Sequence, residues 1–385
     1  MQGQAAVTKI VYLDHAEALG GAEFSLLDLL RTLDRSRFEP TLACPPGPLA
    51  ERARGLGVAV ADLALEKLKD RNPVRSITHL LRGQGVLSTL VREGGFQIAH
   101  ANTLRTAMVA ASAGRRLPAR FAWHVRDYVM PTWARSTILR RCHVAIAPSR
   151  FIARSLGASP KVRVVPNGIE MGSPPDPERA AAFRAHVGLP REAPVIGCLG
   201  RIRPWKGQRY FIDVAARLAA RLPDARFLIV GATLFPDRGR DYVAELKELA
   251  DSLGVADRVV FTGQTDEPLA ALAAMDLLVH CSEDEPFGRV LIEAMASRRP
   301  VVAFRSGAVP EIVEDGSTGL LVDFADTTGM AEAIFDLLRN RTRAEAYGEA
   351  GRQRVADSFT VAASTRAIEA IYDELLLPGH TETPR

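Results

Sequence analysis

The sequence predicts an α/β protein built from two consecutive, doubly wound parallel-sheet domains of Rossmann-like type. Three observations point that way. At 385 residues the chain is too long for one ordinary core and comfortable for two. Short β-branched runs alternate with helical patterns from end to end, as βαβ units require. The alternation breaks once, near the middle, and then restarts.

In the first half the strand candidates are "KIVYL" (9–13), "EPTLAC" (39–44), "QIAHA" (97–101), "RFAWH" (120–124), "HVAIA" (143–147) and "VRVVP" (162–166). Helical patterns at 22–33, 74–92, 103–115 and 149–157 lie between them. The stretch 167–194 is rich in Pro, Gly and polar residues and predicts a linker with one short helix. The alternation resumes with strands at 195–200, 226–231, 258–263, 277–281, 300–304 and 319–322. Helices at 207–221, 240–253, 266–274 and 288–298 separate these, and others at 326–340, 343–356 and 361–376 close the chain. The domain expectation is 1–180, then 181–358, with 359–385 as a separate C-terminal helix.

Composition narrows the class. The chain is 47% apolar and 24% charged, as a soluble globular protein is. No apolar run approaches a membrane span, and "MQGQAAVTKIVYLD" lacks the form of a signal peptide. Cys44, Cys142, Cys198 and Cys281 stand far apart without metal-type spacing, which favours buried thiols in a reducing cytoplasm. The net charge of +4 hides an asymmetry. Residues 1–190 hold 26 Lys and Arg against 15 Asp and Glu, whereas residues 191–385 hold 23 against 30. Between Arg71 and Val165 sixteen basic residues face only Glu93 and Asp127. Such halves suit different partners.

Ligands of doubly wound sheets bind beyond the carboxyl ends of strands, so the chemistry should lie in the loops there, here at a cleft between the domains. "LGGAEFSLLDLL" (19–30) follows the first strand; Gly20 and Gly21 allow close backbone approach and the helix start favours an anion. A plain glycine turn explains that stretch equally well. It is not GxGxxG, which disfavours a nicotinamide or flavin cofactor. "GRIRPWKGQ" (200–208) places Arg201 and Lys206 on a lean loop, a fork and a point charge suited to a diphosphate; a solvated basic loop is the competing reading. Asn167 belongs to a turn in "VVPNGIE", Val260 to a core strand, and His124 to a strand end in "WHVRDY".

"EDEPFGRVLIEAM" (283–295) carries two glutamates of different setting. Pro286 holds Glu285 in extended backbone, while Glu293 lies inside an apolar helix beside Arg289. An exposed Arg289–Glu293 pair accounts for Glu293 at about 0.3 kcal/mol. The alternative sets the amides of Phe287, Gly288, Arg289, Val290 and Leu291 around a phosphate or sugar, with Glu285 and Glu293 accepting from hydroxyls at its two ends.

Taken in order, "LGGAEFSLLDLL", "VVPNGIE", "GRIRPWKG" and "EPFGRVLIEA" (an E-x7-E motif) resemble the retaining GT-B glycosyltransferases of glycosyltransferase family 4, over nearly the whole chain. The resemblance implies a GT-B fold, with the C-terminal domain binding a nucleotide sugar, the N-terminal domain taking the acceptor, and the last helix crossing back. By position, Glu285 would hold the transferred sugar, helped by Phe287 and Gly288, and Glu293 the ribose. Arg201 and Lys206 would neutralise the diphosphate, with Gly21 and its neighbour Gly20 approaching from the first domain. Val260 would border the base, Asn167 the donor site, and His124 the reacting sugar, although "HVRD" departs from the commoner H-D form.

The implied reaction transfers a hexose from a UDP- or GDP-sugar with retention, without metal or other cofactor, the leaving phosphate acting as base. No DxD motif is present. The basic first half favours a lipid-linked or anionic glycan acceptor and an anionic membrane surface, with "MPTWARSTILRRCH" (130–143) as a candidate interfacial helix. No nucleic-acid module accompanies it. A nucleotide-sugar epimerase of the same fold and a non-catalytic sugar-nucleotide-binding subunit are the alternatives. The expected location is cytoplasmic, peripheral on the inner face of the membrane.

Overall fold

The computed structural model describes residues 7–63, 65, 73–126, 128, 130–172, 176–233 and 241–377. Arg71, Asp127, Arg240 and the end of the 359–385 segment lie outside them. The chain forms two units, Met1–Gly168 with Val361–Arg385, and Ile169–Thr360.

In the first unit the strands are β1 (Thr8–Leu13), β2 (Phe38–Cys44), β3 (Ala59–Asp62), β4 (Ile98–Ala101), β5 (Arg120–His124), β6 (Val144–Ala147) and β7 (Val162–Val164). They form one parallel sheet in the order β3-β2-β1-β4-β5-β6-β7. The order reverses between β1 and β4, the switch point where doubly wound sheets place ligands. Its helices include α1 (Gly21–Thr32), α2 (Pro48–Gly55), α3 (Pro73–Gly94), α4 (Leu104–Ala113), α5 (Thr132–Arg141) and α6 (Arg150–Leu156).

Period-two alternation divides the strand side chains between two cores. In β1, Val11 and Leu13 enter one cluster, while Ile10 and Tyr12 enter the other. Both faces are dry, which is why these strands read as unbroken apolar runs. Each fully buried Leu or Ile contributes about 1.5–3 kcal/mol.

The second unit repeats the plan. Strands β8 (Val195–Leu199), β9 (Arg226–Val230), β10 (Val259–Gly263), β11 (Leu277–His280), β12 (Val301–Phe304) and β13 (Gly319–Val322) are parallel, in the order β10-β9-β8-β11-β12-β13. Phe227 and Ile229 face one core, Leu228 and Val230 the other. The helices include α7 (Pro177–His186), α8 (Gln208–Ala219), α9 (Tyr242–Ser252), α10 (Pro268–Ala273), α11 (Arg289–Ala296), α12 (Val309–Ile312), α13 (Thr327–Arg339) and α14 (Arg341–Ser358).

The first division falls at Gly168, ahead of α7 rather than inside it, because Phe183 of α7 is buried in the second unit's core. The last helix, α15 (Val361–Leu376), belongs to the first unit. Ile368, Ile371, Tyr372 and Leu375 complete the core on the Ile10–Tyr12 face. Glu369 accepts the Asp34 amide at 2.8 Å, and Thr365 meets Thr32 at 2.6 Å.

Segment 130–143 departs from the interfacial expectation. It forms α5, but Ile138 is fully buried and Leu139 packs against the first core, leaving Trp133 exposed at 66%. Among the described residues no helix is long and apolar enough to cross a membrane. All four cysteines are buried and free; burial pushes the Cys142 and Cys198 thiols up to about 12.

Candidate functional site

Glu285 follows β11 on a loop whose backbone is tightly fixed. Asp284 adopts φ +46°, a strained value for a residue with a side chain, and its amide donates to Ser306 Oγ at 2.8 Å. The Glu285 carbonyl accepts from the Ala308 amide at 2.8 Å. Gly307, at φ +59°, lies so close that a Cβ there would sit 2.4 Å from both the amide nitrogen and carbonyl oxygen of Glu285. Only glycine fits that approach.

The carboxylate is 5% exposed. Its Oε2 accepts from Lys206 Nζ at 2.7 Å and meets His280 Nε2 at 3.1 Å. Oε1 takes no hydrogen bond among the described residues. Burial alone would raise this carboxyl; the Lys206 ammonium, aided by His280, overrides it and holds the group well below the usual carboxylate range. Glu285 is thus a permanent acceptor and not an acid.

Lys206 comes from the loop after β8, where Pro204–Lys206 form one 3₁₀ turn. Gly207 ends that turn at φ +73°, and a Cβ on it would strike the Cys281 carbonyl at 2.0 Å. The Glu283 amide donates to the Trp205 carbonyl at 2.8 Å, which ties the two loops together. Lys206 Nζ also lies 4.3 Å from the Trp205 ring centroid. Arg201 stays apart: it is exposed, and among the described residues only its backbone carbonyl is engaged, by Gln208 Nε2 at 3.0 Å.

Along α11, Gly288 stands at φ +98° just ahead of the helix, and Phe287 is buried edge-on to Phe359. The Leu291 amide is already bonded to the Gly288 carbonyl at 2.9 Å, so the expected run of donors from Phe287 to Leu291 is one shorter. Val290 is half-buried and Leu291 fully buried. Arg289 Nε donates to Glu293 Oε1 at 2.7 Å, the ion pair expected from their spacing, with both side chains mostly buried. Val260 lies half-buried on β10.

The remaining predicted residues occupy the first unit: Gly20 and Gly21 after β1, beside the switch point, His124 at the end of β5 and Asn167 after β7. Gly20 precedes α1, and its amide is not free as expected, because Glu23 Oε2 accepts it at 2.8 Å; Gly21 faces open space. His124 ends β5 and is buried. Asn167 Oδ1 accepts from Arg126 Nη1 at 2.6 Å, and Arg126 Nε donates to Asn102 Oδ1 at 3.0 Å. Asn102 Nδ2 in turn donates to the buried Asp14 at 2.7 Å. Burial raises the Asp14 carboxyl despite this bond.

Sequence reasoning missed Asp14, Asn102, Arg126, His280 and Gly307. For Asp14, Asn102 and His280 the available signal was a polar residue at or directly after the end of a buried strand, as in "VYLD", "HAN" and "LLVH".

Two family models match in succession, Glycosyltransferase Family 4 over residues 19–172 and Glycosyl transferases group 1 over residues 180–354. The lipopolysaccharide core mannosyltransferase LpsB of Rhizobium meliloti is 32% identical over 241 residues, 62% of this chain and 68% of LpsB. The chain belongs to glycosyltransferase family 4. This family 4 chain is also 39% identical over 221 residues to a GDP-mannose-dependent phosphatidylinositol monomannoside mannosyltransferase of Mycolicibacterium smegmatis, 55% of the chain and 56% of the relative. It spans about half the length of several curated relatives it matches. Among solved structures, HepE of Anabaena in complex with UDP-glucose superimposes with a TM-score of 0.82 at 25% identity, over 95% of this chain and 100% of HepE. The family 4 chain therefore has the GT-B fold expected from its motifs.

Proposed function

We propose that the protein is a retaining, metal-independent hexosyltransferase that moves a sugar from a UDP- or GDP-linked donor to an acceptor hydroxyl. One observation carries the reading: a buried, permanently ionised carboxylate, Glu285, is pinned through one oxygen by Lys206 and His280 while its other oxygen is unengaged among the described residues. Such a group is built to accept from sugar hydroxyls. Lys206 keeps further protons for the diphosphate, and Arg201 supplies a second cation, so charge on the departing phosphate is stabilised without a metal. Glu293 would bind the ribose after Arg289 yields part of its hold. His124 would meet the reacting sugar. The leaving phosphate would take the acceptor proton on the same face of the sugar, giving retention. The relatives named above are transferases, which lends no support to an epimerase or a non-catalytic subunit.

A thermal-shift panel of UDP-, GDP- and ADP-sugars tests the reading. A matching donor at a hundred times its Kd should stabilise the fold by about 2.7 kcal/mol. A panel in which no sugar nucleotide moves the midpoint would sink it.

The acceptor we propose is lipid-linked or an anionic glycan, presented at the inner face of a membrane. The support is the basic stretch Arg71–Val165 and relatives that act on phosphatidylinositol mannoside and lipopolysaccharide core. Each well-placed basic residue contributes about 1 kcal/mol at an anionic surface. Flotation with phosphatidylserine vesicles should exceed that with neutral vesicles, and the excess should vanish in high salt. Equal recovery from both would remove the membrane from the proposal.

A further inference from the structure

His124 does not stand alone. His124 Nδ1 lies 3.2 Å from His100 Nε2, and His100 Nδ1 lies 2.6 Å from Tyr372 Oη. Tyr372 Oη donates to Tyr12 Oη at 3.1 Å. All four side chains are buried. Strand register explains the meeting: Tyr12 and His100 are direct partners across β1 and β4, and His124 lies one pleat beyond Ala122, the partner of His100 on β5. Side chains two apart share a face, and this is the face covered by α15, which brings Tyr372.

The order of donors follows from chemistry. Burial and the Arg126 guanidinium push His100 down to about 3 and His124 well below the ordinary imidazole range, so both are neutral with one N–H each. Burial pushes the Tyr12 and Tyr372 phenols up, so both keep their protons. Because Tyr372 donates to Tyr12, its oxygen receives from His100 Nδ1–H. His100 Nε2 is then bare and accepts from His124 Nδ1–H. The chain of bonds ends with a lone pair on His124 Nε2.

That nitrogen is buried and has no hydrogen-bond partner among the described residues. A buried polar atom left unpaired calls for a ligand or a water. His124 lines a narrow cavity of about 10 Å³ with Ser25, Asp28, Asn167 and Ser364, room for one water or one hydroxyl.

We propose that Tyr372 and His100 are positioning residues that fix the tautomer of His124, so that its Nε2 accepts a hydrogen bond from a hydroxyl of the reacting sugar. The second clause rests on the role given to His124 above. α15 thereby acts on the reacting centre through three buried side chains rather than only through packing.

The test uses the full chain labelled with ¹⁵N-histidine and long-range ¹H–¹⁵N correlation. In the wild type His124 should carry its proton on Nδ1. In Tyr372→Phe the His100 Nδ1–H loses its acceptor, and His124 should show mixed tautomers. Turnover, read as UDP or GDP release from UDP-glucose or GDP-mannose, should fall about tenfold with donor KM within about twofold, the split of an interaction made in the transition state. A wild-type proton on Nε2 would overturn the proposal without reference to activity, and that spectrum remains readable even if Tyr372→Phe does not fold. Unchanged tautomer and turnover in Tyr372→Phe would overturn the relay. Full turnover in His124→Ala, with the wild-type tautomer as expected, would instead overturn the role of His124.

Discussion

Glu285→Ala is expected to lower turnover with UDP-glucose or GDP-mannose by about 10³-fold, the loss of two charged hydrogen bonds at about 2 kcal/mol each. UDP or GDP alone should still raise the melting temperature of the variant, because the carboxylate is assigned to the sugar and not to the nucleotide. A second effect follows from the ion pair. Without Glu285, Lys206 is left 16% exposed and uncompensated, which should cost about 2–3 kcal/mol, below the full buried-pair value because some solvent reaches the ammonium. Glu285→Gln keeps the shape and separates the two effects, since it loses the charge but retains an acceptor. The pH dependence has a definite sign. The folded carboxyl titrates below its unfolded value, so its stabilisation is complete above about pH 5 and is lost only on acidification. No limb of a pH–rate profile between about pH 5 and 9 should belong to Glu285. Unchanged turnover in Glu285→Ala would remove the residue from the site.

The parts of this molecule that were legible in the sequence are those whose signal is local. β1 and β13 were visible within a residue, β1 because Ile10 to Leu13 are apolar and buried on both faces of the sheet, β13 because "GLLV" is an unbroken apolar run. β3, "AVAD", was not: it is a short edge strand with no fully buried residue, so it has neither length nor alternation to show. α2 was hidden behind "PPGP", which signals a turn more strongly than a helix start. The same distinction governs the site. Glu285 and Lys206 each announce themselves through their own loops, with Pro286 and Gly207 beside them. That they form a pair is not written in either loop, since it depends on β8 and β11 being neighbours in the sheet. Gly307 enters by the same cross-strand route, from the loop after β12, whereas His280 ends β11 itself, five residues before Glu285. The Tyr372–His100 contact spans 272 residues and exists only because α15 closes the first unit's core, so no motif could carry it.

Lys206→Met exposes how the ion pair is built, because it reverses the electrostatics of Glu285. The ammonium has three protons. One binds Glu285, one side faces the Trp205 ring, and the proposal directs the rest at the diphosphate. Removing it should therefore lower turnover by about 10²–10³-fold, the usual loss for one pre-set electrostatic donor. It also leaves the carboxylate with His280 as its remaining side-chain partner among the described residues, so that burial, the largest influence on this group, is opposed by His280 without the ammonium. The folded carboxyl should then titrate above its unfolded value, so the folded state binds the extra proton. Stability of Lys206→Met should fall as pH rises from about 5 to 8, whereas Glu285 in the wild type contributes no such slope. Melting curves at the two pH values read this directly, and a parallel pH response in both proteins would refute the pairing. The double variant Lys206→Met with Glu285→Gln should lose the slope and be less destabilised than the sum of the single changes, since each single change strands the other partner. Arg201→Ala, which leaves this pair intact, should lower turnover without any pH-dependent loss of stability.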